Sequence, residues 1–178
     1  MKVIDIIKCK VRGTINLPRL IRDGLSVGKN FHVQEGVIID PGHCWLIEIG
    51  DNVTLAPRVH ILAHDASMYV HLGYARIGKV VIGNNCFLGA GTIVLPGVCI
   101  DDNTIVGAGS VVTKSLIGGG VYAGNPCKKI YEYDEWINRE KINISNCPVY
   151  DESYRIGNIT DDMKKEMKEQ LSKFGYIV

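Results

Sequence analysis

The chain has 178 residues, 46% of them hydrophobic, enough for one domain with a sizeable core. Its 20 Lys and Arg nearly cancel 19 Asp and Glu, so no general field invites a phosphate backbone or an acidic membrane surface, which argues against nucleic acid as a partner. Apolar runs are broken by Gly, Pro or charge well short of a membrane span, so the expectation is a cytoplasmic protein without membrane insertion.

Residues 1–24 carry no regular beat and read as an N-terminal cap, since an uncovered parallel coil would expose its strand hydrogen-bonding groups. From 25 to 130 aliphatic residues return every six positions. The beat is weak at Val27, Val33 and Ile39, firmer at Ile49, Leu55 and Ile61, and strongest at Ile82, Leu88, Val94, Ile100, Val106 and Val112. Neither a helix nor a flat strand has this period. Four residues after each of the first five in the last series stand Cys86, Thr92, Val98, Thr104 and Ser110, small or β-branched side chains suited to a narrow interior. Gly83-Asn84, Gly89, Gly97, Asn103, Gly107 and Gly109 supply turns. The reading is a parallel β-helix in which each hexad is one short strand plus a turn and three hexads make a coil. A sandwich of short strands would instead alternate with period two.

Between Ile61 and Ile82 the beat stops for 21 positions, read as three more than one coil. An extruded loop over about 64–78 accounts for this, and it carries His64, Asp65, His71 and Tyr74. Loops held by a rigid scaffold are where binding groups concentrate. Residues 131–178 turn charged and aromatic; Thr160-Asp161 is expected to cap a helix over about 160–174, with Met163, Met167, Leu171 and Phe174 on one stripe. Six cysteines, Cys9, Cys44, Cys86, Cys99, Cys127 and Cys147, form no CxxC pair and read as reduced thiols.

The stretch IGNNCFLGAGTIVLPGVCIDDNTIVGAGSVVTKS, followed by VYAGNPCKKI, resembles the hexapeptide-repeat acyltransferases, in particular the galactoside, maltose and capsular-sugar O-acetyltransferases. The likeness runs from about Gly24 to Ile130. It implies an all-β fold, a left-handed parallel β-helix with a C-terminal helical extension, assembled as a homotrimer with acetyl-CoA in the clefts between neighbouring prisms.

Moving an acyl group from a thioester to a hydroxyl needs a base for the hydroxyl proton and donors for the developing oxyanion. Histidine suits the first task near neutral pH. In the family the base follows a stretch like APxVHI, and APRVHILAH puts His64 there. Relatives often continue with proline, whereas here Asp65 follows, leaving the ring to be oriented by Asp65 or by a backbone carbonyl. His60 reads as an outer-face residue, and His43 and His71 receive no catalytic role. The resemblance carries Ala90 and Ala108 over as backbone contacts to pantetheine, with the Ala90 N–H as an oxyanion donor. Thr113 and Lys114 match the family's VTK, Lys128 stands near the nucleotide phosphates, and Phe87 takes a place where relatives often have tryptophan. Tyr131 stands where many relatives have a second basic residue. Gln34 falls where the sugar enzymes hold the acceptor, and Asp40 in the following insertion is placed with it.

The implied activity is acetyl-CoA-dependent O-acetylation of a sugar or polysaccharide hydroxyl by direct transfer. Two alternatives are an N-acetyltransferase on an amino sugar and a non-catalytic hexapeptide-repeat assembly subunit. A zinc lyase of the same fold has histidine in a stretch resembling Leu55-Ala56-Pro57, and with proline there no metal is expected.

Overall fold

The computed structural model describes residues 15–178, so most of the expected cap over 1–24, with Cys9, lies outside the described residues. A short helix, α1 (Leu17–Arg22), opens them, started by the Asn16 side chain accepting the Arg19 N–H and by Pro18 in its first turn. It buries Leu20 among the first core residues.

Four coils follow. The first holds β1 (Ser26–Val27), β2 (His32–Val33) and β3 (Ile38–Ile39); the second, β4 (Ile47–Ile49), β5 (Thr54–Leu55) and β6 (His60–Ile61). A loop then carries β7 (His64–Asp65), the single turn α2 (Tyr69–Leu72) and β8 (Arg76–Ile77). The third coil is β9 (Val80–Ile82), β10 (Phe87–Leu88) and β11 (Ile93–Val94), and the fourth β12 (Cys99–Ile100), β13 (Thr104–Val106) and β14 (Val111–Val112). After them β15 (Gly120–Ala123) extends one face and β16 (Lys128–Tyr131) folds back on it antiparallel.

Pairing is parallel from coil to coil and sorts the strands into three faces. Face one is β1-β4-β9-β12, face two β2-β5-β10-β13-β15, and face three β3-β6-β11-β14. Register between the last two full coils is eighteen positions, as in Leu88 opposite Val106 and Val94 opposite Val112. The six-residue beat is therefore the step from one face to the next. Every aliphatic of the strongest series lies at most 1% exposed, with Leu55, Leu88 and Val106 aligned on face two. The four-on positions Thr92, Thr104 and Ser110 are also fully covered. Their hydroxyls escape an unpaired burial by donating to turn carbonyls: Thr104 to Asp101 at 2.7 Å, Ser110 to Gly107 at 2.6 Å and Thr92 to Gly107 at 3.3 Å.

The corner between faces one and two is tied by an amide ladder. Asn30 donates to Asn52 at 2.9 Å, Asn52 to Asn85 at 3.0 Å and Asn85 to Asn103 at 3.1 Å. All four stand in the left-handed region, at φ between 53° and 56°, where asparagine is tolerated better than most side chains.

The chain divides into two compact units between Tyr133 and Asp134. The second contains α3 (Tyr133–Asn146), β17 (Val149–Tyr150), α4 (Asp161–Gln170) and β18 (Tyr176–Ile177), with β17 and β18 paired in parallel. Thr160 caps α4 by accepting the Met163 N–H. The helix leaves its path at Leu171, earlier than the stripe through Phe174 suggested, because the chain must return Tyr176 beside Val149. Among the described residues no helix is long and apolar enough to cross a membrane.

Candidate active site

Two insertions fall at the corner where face three passes to face one. From Ile39 to Ile49 the step is ten positions instead of six, and one coil later, from Ile61 to Ile82, it is 21. Ile61 and Ile82 thus lie on adjoining faces, and the interruption is a loop of 15 additional residues rather than a coil with three extra. The first insertion carries Asp40, His43 and Trp45; the second begins at His64. Stacking of the coils brings the two together.

Asp40 is 1% exposed, held by its own N–H on the Ile61 carbonyl at 2.9 Å. Its Oδ1 accepts the Gly42 N–H at 3.0 Å and its Oδ2 the Ala63 N–H at 3.0 Å. The same Oδ2 makes a short hydrogen bond with Nδ1 of His64. Burial alone would push the Asp40 carboxyl up, but the bonds from His64, Ala63 and Gly42 outweigh it and hold the group below the ordinary carboxylate value. The Asp40 side chain is fully covered while that of His64 remains 41% exposed. A carboxylate on Nδ1 selects the tautomer with the proton there, leaves the Nε2 lone pair free, and stabilises the ring if Nε2 gains a proton.

His43 packs beside this pair, its ring centroid 4.9 Å from that of His64 and 5.3 Å from that of Trp45. Its Nδ1 is buried without a hydrogen-bond partner among the described residues. The donor atoms of Asp40, His43 and His64 all lie within 4.8 Å of one another. From the sequence His43 shares the insertion with Asp40 as a loop histidine without a catalytic role, and Trp45 was not singled out; the ten-position step from Ile39 to Ile49 was the available signal.

Two expectations change. Asp65 does not orient the ring: its Oδ1 accepts the Ser67 N–H at 2.8 Å, because the antiparallel pairing of β7 with β8 sets it opposite Arg76. Asp40, expected on the acceptor, is covered by protein on all sides and meets His64 instead.

Gln34 and Ala90 lie at a different corner, between faces two and three. They line a cleft of about 770 Å³ together with Pro57 and Arg58. Ala108 stacks above, where Gly109 donates to the Ala90 carbonyl at 2.8 Å, and Gly89 lies so close to Ala108 that a Cβ there would stand 2.5 Å from its nitrogen. Arg58 has φ 61°, the one non-asparagine, non-glycine left-handed position among the described residues. Thr113 and Lys114 are exposed just after β14, on the corner that holds His64 two coils below. Phe87 points outward from β10, 44% exposed, and Lys128 is exposed at the start of β16.

A parallel β-helix wound in hexads, with a carboxylate-backed histidine on one edge and an alanine- and glycine-lined cleft on the next, defines the hexapeptide-repeat class. The family described as bacterial transferase hexapeptide (six repeats) matches residues 79–114. Protein CapG of Staphylococcus aureus is 43% identical over 118 residues, 60% of this chain and 69% of its own. Galactoside O-acetyltransferase of Escherichia coli (strain K12) is 34% identical over 122 residues, covering 62% of this chain, and the chain spans only 55% of that relative's length. A solved galactoside acetyltransferase in complex with coenzyme A is 31% identical, with TM-score 0.50, covering 65% of this chain and 67% of that one. The chain belongs to the hexapeptide-repeat acyltransferases.

Proposed function

We propose that the protein is an acetyl-CoA-dependent O-acetyltransferase acting on a sugar or polysaccharide hydroxyl, with His64 as general base. The observation that carries this is the buried Asp40 carboxylate on Nδ1 of a histidine whose side chain remains 41% exposed. In the reaction the acceptor hydroxyl gives its proton to Nε2 as its oxygen attacks the thioester carbonyl carbon. The negative charge passes to the carbonyl oxygen, and the C–S bond then breaks as the proton moves from Nε2 to the departing sulfur. Asp40 keeps its charge throughout and offsets that of the transient imidazolium. The Ala90 N–H, which donates to no group among the described residues, suits the oxyanion. The donor class is supported by the relative bound to coenzyme A, and the acceptor class by the galactoside enzymes.

The working form in this reading is a homotrimer of left-handed prisms. The Gln34–Ala90 cleft and His64 lie on different edges of one tube, so a donor held along the first meets a base on the second only when two copies stand side by side. Lys114 and Lys128 serve the phosphates of the donor.

The test is release of CoA thiol from acetyl-CoA across a panel of sugars and amino sugars, with His64→Asn beside the parent protein. Loss of the base should lower turnover by about 10²–10⁴-fold at unchanged CoA affinity and particle mass. A variant retaining a third or more of parental turnover would remove His64 from the role. Light scattering that gives a monomer in dilute solution would remove the shared site.

A further inference from the structure

We propose that Asp40, His43 and His64 form a binding site for one transition-metal dication of the zinc class, and that its occupancy disarms His64. The inhibitory half rests on the reading of His64 as general base; the binding half does not.

The donor set is two imidazoles and one carboxylate, with all three ligand atoms within 4.8 Å of one another. Zn²⁺, Co²⁺ and Ni²⁺ take such nitrogen-rich sets and leave further positions to water, whereas Mg²⁺ and Ca²⁺ require oxygen. A four-coordinate ion with bonds of about 2.0–2.1 Å fits after small side-chain shifts, since all three ligands stand on the two insertions rather than in the strands of the tube's wall.

An independent feature points to the same place. The Nδ1 of His43 is buried and unpartnered among the described residues, an arrangement that is costly for a polar atom and is relieved when the nitrogen donates its lone pair to a cation. Asp40 supplies the charge such an ion needs. Its two backbone donors, Gly42 and Ala63, already hold the carboxylate in place, as the outer partners of a metal ligand do.

The consequence for His64 follows from its tautomer. With Nδ1–H toward Asp40, the Nε2 lone pair is free. When a cation replaces that proton on Nδ1, the neutral ring carries its single proton on Nε2 instead, exchanged through water. The ring neither gains nor loses a proton overall, yet the nitrogen that would accept from a hydroxyl is now a donor. The ion is therefore an inhibitor rather than a cofactor, and stripping it should raise turnover or leave it unchanged.

Co²⁺ is the probe, added to the full metal-free chain and followed by visible absorption. The expected result is one Co²⁺ per chain, with the bands of a low-coordinate nitrogen and oxygen site and no sulfur-to-cobalt charge-transfer band. His43→Gln and His64→Gln should each weaken binding by more than the roughly 10–100-fold that losing an outer partner costs, in proteins that still unfold cooperatively. Product formation, followed by chromatography, should fall with the same midpoint as Co²⁺ binding, recover with EDTA and become insensitive to Co²⁺ in His43→Gln. Absence of saturable binding, or parental affinity in both variants, overturns the site. Binding that leaves turnover unchanged overturns the disarming. A metal-free protein that transfers no acetyl group but binds Co²⁺ as described would sink the acetyltransferase reading and leave the site standing.

Discussion

One oxygen of Asp40 holds two consecutive residues of the next coil: Oδ2 accepts the Ala63 N–H at 3.0 Å and the bond from Nδ1 of His64. The backbone that carries the candidate base and the ring itself thus answer to a single buried carboxylate 24 positions earlier. Asp40→Asn keeps the size but removes the charge. We expect kcat/KM to fall by about 10²–10⁴-fold with donor affinity little changed. Asp40→Ala also strips the acceptor from two backbone donors, and urea unfolding should register a loss of about 1–3 kcal/mol for each. Parental turnover in Asp40→Asn would take the carboxylate out of the mechanism.

Acid should weaken the protein through the same residue. The Asp40 carboxyl sits below its ordinary value of 3.8 in the folded chain, so the folded state favours the ionised form. Its contribution is fully present above the unfolded value and disappears as pH falls through the folded one. Urea midpoints taken downward from pH 5 should therefore drop more steeply for the parent than for Asp40→Asn. Parallel curves would show that Asp40 is not a source of acid sensitivity.

Arg58 holds a left-handed backbone, φ 61°, that the ladder residues at the corner between faces one and two meet with asparagine. Replacing it by Asn should relieve part of the roughly 1–2 kcal/mol that such a conformation costs a long side chain. A rise in thermal midpoint is expected. Because Arg58 lines the cleft assigned to the donor, the KM for acetyl-CoA should rise alongside the gain in stability.

The exposed amines of Lys114 and Lys128 are assigned to donor phosphates on resemblance, and calorimetry can check each separately. Lys114→Ala or Lys128→Ala should weaken CoA binding by about 1–3 kcal/mol, the range for a charge-assisted hydrogen bond. An unchanged affinity would release the residue from that role.

The hexad core was legible because each inward position recurs at a fixed step and excludes water whatever its neighbours do. Leu88 and Val94 could be read as wall residues without knowing which strands pair. His64 was legible as the point where the beat breaks. Asp40 was not legible as its partner, since that contact depends on coil register and on two insertions sharing one corner, neither of which shows in a local window. Counting the break as a coil with three extra residues hid the same fact: only the pairing of Ile61 and Ile82 on adjoining faces reveals a plain loop. In the second unit α3 escaped notice because Ile137, Ile142 and Ile144 are scattered among charges without a clear stripe, leaving no period to read.

The asparagine ladder sets a unit of length for this architecture. A rung recurs where the next residue in register can adopt the same left-handed turn, eighteen positions on in an uninterrupted coil, as from Asn85 to Asn103. A tandem duplication of one coil adds a rung and a layer to each face, and the bonds at the one junction it opens are remade in the same register with the new coil. A duplication that is not a whole number of coils must leave the tube at a corner, as the four residues after Ile39 and the fifteen after Ile61 do. Growth in whole turns lengthens the rod, and growth in fractions of a turn can only decorate it, so new chemistry enters this scaffold as overhang.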